Sequence, residues 1–284
     1  MPLSEVALRG CVESARAGII EPVLVGIETE IRNLGSRLEL DIESWEILPA
    51  VDDADAARKC VALCQSGHAR AIMKGSLESA VLMREVVREG TGLRTGRRIS
   101  HVFLLDVPSY PRPLLITDAA INIYPSLDDK VDIVQNAIDL AHLLGIQLPH
   151  VAILSALETV HSQIKATVDA AALSKMAERG QIRGAIVDGP LAFDTAVSSE
   201  AAAIKHLNSR VAGVADILVV PDMESGNMLA KQLEYLGGAE LAGVVVGARM
   251  PVILTSRADS ARARLASCAV AAIIANGSPA CSAA

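Results

Sequence analysis

Short apolar runs rich in Val, Ile and Leu alternate with amphipathic segments along the whole 284-residue chain, and this alternation constrains the fold more than any other feature. The runs that read as strands are 22–26 (PVLVG), 69–73, 102–107, 114–117, 151–154, 184–187, 217–220, 244–246 and 252–255. Several are continuously apolar and end at Gly, Asp or Pro, the pattern of strands covered on both faces in a parallel sheet. Between them, 130–144 places Val131, Val134, Ile138, Ala141 and Leu144 at helical spacing, with Gly145 positioned to close the helix. Segment 168–179 behaves in the same way and stops at Gly180. Strands alternating with helices give an α/β fold. The length suits two domains of ordinary size or one large α/β unit. The tail 276–284 (NGSPACSAA) reads as frayed.

Composition then removes whole classes of function. Hydrophobic residues make up 51% of the chain, so it can bury enough apolar surface to fold. The apolar run 269–275 is too short to span a bilayer, and no basic-then-apolar leader opens the chain, so a cytoplasmic location without membrane association is expected. A net charge of −7 argues against nucleic acid as a partner. So does an aromatic content of only 2%, because single-strand readers stack bases on rings. Five cysteines without a CxxC pair fit a reducing compartment. Cys60 and Cys64 read as small buried residues on one helical face. The run Asp52, Asp53, Asp55 reads as a helix N-terminus, and no metal site is expected.

In parallel α/β sheets, ligands bind beyond the carboxyl ends of strands. Those ends read Lys74-Gly75-Ser76, Asp118 to Asn122, Asp188-Gly189-Pro190, Asp222 to Asn227, and Ser256-Arg257 to Ser260. Together they suggest one shared cleft. Arg84, Arg88, Arg94, Arg97 and Arg98 crowd into one stretch of an acidic protein, which invites a phosphate-bearing ligand. A solvated helix face followed by a polar loop is the competing reading. Lys74-Gly75 reverses the order of a Walker A loop, Gly90 to Gly96 is GxGxxxG and follows a helical pattern, and neither GxSxG nor HExxH is present.

Segments MKGSLESAVLMREV (73–86), ISHVFLLDVPSYPRPLLITDAAINIYP (99–125), ATVDAAALSKMAERGQIRGAIVDGPLAFDTAVS (166–198), VAGVADILVVPDMESGNMLAKQL (211–233) and PVILTSRADS (251–260) resemble the phosphate acetyl/butyryltransferase family. The resemblance runs from 69 to 275 in the family's order. TDAAxN, VDGPLAFD and TSRADS resemble the butyryl branch more than the acetyl branch. The resemblance implies two α/β domains around a cleft, similar to isocitrate and isopropylmalate dehydrogenases. One domain would comprise 1–97 and 248–284, with 98–247 inserted as the second. It further implies a homodimer or higher oligomer. The reaction would be reversible acyl transfer between coenzyme A and phosphate, with acyl-CoA, inorganic phosphate and acyl phosphate as ligands and no cofactor beyond coenzyme A as substrate.

By the same resemblance Ser256 would hydrogen-bond the coenzyme A thiol, Arg257 would hold phosphate or the tetrahedral intermediate, and Arg84 would bind phosphate. Lys74, Gly75, Asp118, Asn122, Asp222, Gly226 and Asn227 are candidate substrate-binding residues, Asn227 as a donor to a carbonyl oxygen. For Asp222 a cap or turn is an equal reading. Acetyl-type enzymes carry an aspartate about seven residues beyond the serine, where this chain has Ala263. Asp259 either substitutes for that base or caps the following helix. His101 reads as a hydrogen-bonded structural histidine, with a polar role as the alternative. Three functions follow: a butyryl-type acyltransferase, favoured; an acetyl-type acyltransferase; and a non-catalytic acyl-CoA or acyl-phosphate binder.

Overall fold

A computed structural model describes residues 1–254 and 259–277. The chain divides into two compact units, Met1–Arg97 with the described residues from Ala242 onward, and Arg98–Leu241. The chain passes between them after Arg97 and again after Leu241, the second time inside a strand. No described helix is long and apolar enough to cross a membrane.

The first unit contains α1 (Glu5–Arg16), β1 (Leu24–Gly26), α2 (Glu28–Arg37), β2 (Ile47–Pro49), α3 (Asp53–Gln65), β3 (Ile72–Met73) and α4 (Ser79–Val86). In the second come β4 (Ser100–Asp106), β5 (Leu114–Thr117), α5 (Leu127–Leu143), β6 (His150–Leu154), α6 (Lys165–Glu178), β7 (Ile186–Leu191), α7 (Phe193–Val197), α8 (Ser199–Ile204), β8 (Ile217–Val219) and α9 (Met223–Tyr235). The strand β9 (Glu240–Val246) returns the chain to the first unit, which β10 (Val252–Ile253) and α10 (Ala261–Gly277) complete.

In the second unit the strand order is β4-β5-β8-β6-β7. All neighbours are parallel except β4 and β5, which pair antiparallel with Phe103 opposite Ile116. The sheet is therefore mixed, where continuous apolar runs suggest a parallel one. The physical reason lies in the connection: residues 107–113 hold three prolines and are too few for a helical crossover, so the chain must turn back beside itself. Leu105, Leu114, Ile116, Leu154, Leu218 and Leu241 pack in the core of this unit. In the first unit β10 runs parallel to β3 and antiparallel to β9, while β1 pairs in parallel with β2.

Helix α5 begins at Leu127, earlier than its apolar spacing indicates, because Ser126 and Asp129 form a reciprocal capping box. It ends as read: Gly145 takes φ 91°, and Ile146 N–H bonds back to the carbonyl of Ala141. The acidic run is likewise a helix start, with Asp52 Oδ1 accepting from the Asp55 amide at 2.7 Å. Strand β7 continues through Asp188-Gly189-Pro190, residues that read as a stop. It can do so because the register with β6 shifts there and Gly189 lies where a Cβ would stand 2.7 Å from the Ile153 carbonyl oxygen. Proline is tolerated because β7 is an edge strand. The half-exposed β2 has no apolar run to announce it.

Candidate functional site

Parallel pairing brings strand ends together within each unit. In the second unit Thr117 lies opposite Val219, so the loops after β5 and β8 leave the sheet side by side. They are then joined by hydrogen bonds: Val220 N–H to Thr117 O at 2.9 Å, Met223 N–H to Ile123 O at 3.1 Å, and Asn227 Nδ2 to Ala119 O at 3.3 Å. Gly226 makes the approach possible. A Cβ there would meet Val220 Cγ2 at 2.8 Å and the Asp118 carbonyl oxygen at 2.9 Å. Asp222 is the N-cap of α9, accepting from the Ser225 amide and hydroxyl at 2.8 Å each. Of its two readings, cap is the one observed.

The loop after β5 folds around Asp118. Its Oδ1 accepts from Ala120 N–H at 2.9 Å and Ile121 N–H at 3.0 Å, and its Oδ2 from Asn122 N–H at 3.2 Å and Asn122 Nδ2 at 2.5 Å. Asn122 Nδ2 also donates to Ile99 O at 2.9 Å. Both side chains are buried, so in this structure they shape the loop from within. Beside them on β4, His101 is buried and its Nδ1 has no hydrogen bond. Burial pushes its pKa down to about 4, against the opposing pull of the nearby Asp118 charge. The expectation of a hydrogen-bonded histidine fails for that nitrogen, because the residue sits where the strand offers it a phenyl ring instead.

In the first unit β3 and β10 are parallel, and the Lys74 amide donates to Ile253 O at 3.0 Å. Lys74 is buried at this strand end, with its ammonium 3.3 Å from Leu77 O. A Cβ on Gly75 would come within 2.0 Å of the Met1 carbonyl oxygen, and that same carbonyl accepts from the Ser76 amide at 2.8 Å. Arg84 is exposed in the last turn of α4. The arginine run is divided by the fold. Arg88 pairs with Glu85 at 2.9 Å, Arg94 bridges to Ala248, and only Arg98 belongs to the second unit.

Ser256 and Arg257 lie outside the described residues. Just beyond them, Ser260 Oγ accepts from the Ala263 amide at 3.1 Å. Ser260 therefore supplies the capping side chain expected of Asp259. The Asp259 charge acts on Arg264, a cation in the first turn of α10 that is nearly inaccessible to solvent. Burial draws Arg264 below the usual guanidinium range and Asp259 opposes that shift. The Arg264 side chain packs against α1, where a Cβ on Gly10 would meet its Cδ at 2.8 Å.

Sequence reasoning missed the buried polar residues that support these loops. Asn136 on α5 donates to Arg98 O at 2.8 Å and to Ser100 Oγ at 3.0 Å. Lys130 on α5 and Asp169 on α6 form a buried ion pair at 2.8 Å, with Lys165 as a second partner to the same carboxylate oxygen. Burial alone would raise the Asp169 carboxyl, but hydrogen bonds from Lys130 and Lys165, and then their charges, hold it below the ordinary carboxylate range. The available signal was a charge standing inside an otherwise apolar helical stripe.

Comparison with known proteins adds the family context. The family described as phosphate acetyl/butaryl transferase matches residues 49–272. A phosphate acetyltransferase of Rhizobium meliloti is 57% identical over 274 residues, covering 96% of this chain and 87% of that protein. A phosphate butyryltransferase of Clostridium beijerinckii is 42% identical over 271 residues, covering 95% of this chain and 90% of that protein. Among solved structures, a branched-chain phosphotransacylase from Enterococcus faecalis superposes with a TM-score of 0.81 at 31% identity, covering 96% and 95% of the two chains.

Proposed function

This chain belongs to the phosphate acetyl/butyryl transferase family and is an acyltransferase, and on that premise we propose that it moves a short-chain acyl group reversibly between coenzyme A and inorganic phosphate. The observation that carries the reading is the end-to-end correspondence with relatives bearing that chemistry in their names, at 57% and 42% identity. In the direction of acyl phosphate, a phosphate oxygen attacks the thioester carbonyl and the carbonyl electrons move onto oxygen. The tetrahedral intermediate re-forms its carbonyl by breaking the C–S bond. Coenzyme A leaves as a thiolate and takes a proton.

Each candidate residue has a physical task in that scheme. Ser256 donates a hydrogen bond to the sulfur, which favours the thiolate of a group with a pKa near ~8.5. Arg257 stabilises the oxyanion or holds the incoming phosphate, a task for which a fixed donor supplies roughly 3–4 kcal/mol. Arg84 and Lys74 add positive charge for phosphate, and Gly75 lets backbone approach closely. Asp118, Asn122, Asp222 and Gly226 act by fixing the two loops at the carboxyl ends of β5 and β8, and Asn227 lies in the same wall. With alanine at 263 there is no carboxylate at that position, so we assign no general base there and leave Asp259 to tune the thiol indirectly. Assembly as a homodimer or higher oligomer belongs to the same reading.

Two acyl groups are supported by different observations. The butyryl preference rests on TDAAxN, VDGPLAFD and TSRADS, whereas acetyl is favoured by the relative at 57% identity. Free thiol release from acetyl-, propionyl-, butyryl- and isobutyryl-CoA, with and without phosphate, tests the function and ranks the acyl groups. One methylene is worth about 1–3 kcal/mol in a fitted pocket, so the ranking should span about tenfold or more. No phosphate-dependent release from any of the four would refute the acyltransferase proposal.

A further inference from the structure

Arg98 is the first residue of the second unit and directly precedes Ile99 and β4. Because β4 runs antiparallel to β5, with Val102 opposite Thr117, the start of β4 lies level with the carboxyl end of β5. Arg98 therefore stands at the sheet edge where α/β proteins place their ligands. Its backbone is fixed on both sides. The amide donates to Asp132 Oδ2 at 2.8 Å, and the carbonyl accepts from Asn136 Nδ2 at 2.8 Å.

The side chain is anchored along one edge only. Arg98 Nε donates to Asn122 Oδ1 at 2.7 Å. Asn122 cannot turn away, since it is 4% exposed and its Nδ2 is committed to Asp118 Oδ2 and Ile99 O. Its amide orientation is thus set by two acceptors on one side and one donor on the other. Arg98 Nη1 forms an ion pair with Asp129 Oδ1 at 3.4 Å without a hydrogen bond, while Asp129 Oδ2 is taken by Ser126 in the α5 capping box. Neither Nη1 nor Nη2 has a hydrogen bond among the described residues, and the side chain is 53% exposed. Arg112, by contrast, spends its Nη1 on two protein oxygens, the Val214 carbonyl and Asp216 Oδ1. Arg98 holds its plane by Nε and presents the paired Nη edge outward, the edge whose spacing matches two oxygens of one phosphate.

We propose that Arg98 binds a substrate phosphate group in the acyl-transfer reaction, with Asn122 and Asp118 as the positioning residues that orient its guanidinium and Asp129 as a weak competitor for it. The proposal rests on the acyltransferase reading above. Its ligand is a phosphate group, borne either by inorganic phosphate or by coenzyme A.

Steady-state kinetics on the full chain tests it, with KM for inorganic phosphate measured at saturating acyl-CoA and KM for acyl-CoA at saturating phosphate. Arg98→Ala should raise one of these by about tenfold or more, the size of a lost charge-assisted contact, while kcat falls by less. Which KM rises identifies the source of the phosphate. Arg98→Lys keeps the charge without the fork and should fall between. Asn122→Ala should raise the same KM, and combined with Arg98→Ala should add little, since the two act as one unit. Asp129→Asn preserves a capping acceptor but removes the competing charge, so it should lower that KM severalfold. A merely structural Arg98 would not give this opposite sign. Should Arg98→Ala fail to fold, the Lys and Asp129→Asn variants decide alone. Unchanged KM values in the Arg98 variants and Asp129→Asn, or a loss confined to kcat, overturn the proposal. A wild-type chain without phosphate-dependent thiol release overturns the acyltransferase reading itself, an outcome distinct from active wild type with indifferent Arg98 variants.

Discussion

His101 meets Phe103 edge to face on one side of β4, their ring centroids 4.4 Å apart, and its Nδ1 finds no hydrogen bond. Residues two apart on a strand share a face, so the neighbour of this imidazole is a phenyl edge where water would otherwise solvate a charge. The ring is therefore neutral at pH 7, with its pKa pushed down by burial to about 4.

A pH dependence of stability follows from that burial. The unfolded chain protonates His101 near ~6.5 while the folded chain does not until about 4, so the unfolded state binds more protons between those values and stability rises with pH across that window. Lowering the pH from 7 to 5 should cost on the order of 2 kcal/mol through this residue alone. Urea denaturation across pH 5–7 measures it. In His101→Leu the slope should flatten, and an unchanged slope would assign the dependence to other groups.

The Lys130–Asp169 pair gives a second acid-sensitive element with a lower window. A depressed carboxyl pKa contributes stability that is complete above the unfolded value near ~3.9 and is lost as pH falls through the folded one. Asp169→Ala strands a buried ammonium and should destabilise the second unit by about 3–5 kcal/mol at neutral pH. Lys130→Met with Asp169→Leu removes both charges and should recover much of that loss. If thermal melts show the double variant no better than the single, the pair is not the source.

Gly226→Ala tests the close approach of α9 to the loop after β5. The added methyl would stand 2.9 Å from a backbone oxygen that cannot swing aside as a side-chain tip can. A cost of about 1–3 kcal/mol is expected, together with reduced turnover as the two loops separate. A melting temperature equal to wild type would show that the loops have room to spare.

For the residues carrying the proposed chemistry, Arg257→Ala should lower kcat by about 10²–10³-fold, as removal of an oxyanion donor does. An unaltered rate would strip Arg257 of its role. Asp259→Asn should leave kcat within about tenfold, since an indirect effect on the thiol is smaller than loss of a general base, worth about 10²–10⁴-fold. The same change should lower the melting temperature, because the buried Arg264 cation loses the charge that offsets its burial. Equal melting of variant and wild type would break that link.

What could be read in advance was what depends on local pattern. β5 is three apolar residues and a threonine between Pro113 and Asp118, and its span in the structure is the span read from sequence. The end of α5 was legible because Gly145 has one conformational reason to be there. Its start was not, because a capping box of Ser126 and Asp129 outweighs the first apolar residue of the stripe. Residues whose partners come from distant segments stayed hidden. Asn136 serves a carbonyl 38 positions away, and Lys130 pairs with a carboxylate 39 positions away. Periodicity marks such residues only as out of place. The arginine run misled in the opposite sense, since proximity in sequence does not survive a chain that passes from one compact unit to the next between Arg97 and Arg98.

The last helix, α10, has one more consequence. It packs on α1, with Arg264 filling the space that Gly10 leaves open. A ribosome has made every residue of 98–241 before it begins α10. The central unit can thus close during synthesis, while α1 waits for its partner with an apolar face uncovered. Stalling or truncation before residue 261 should yield a chain whose middle is folded and whose beginning is the segment that proteases and chaperones find.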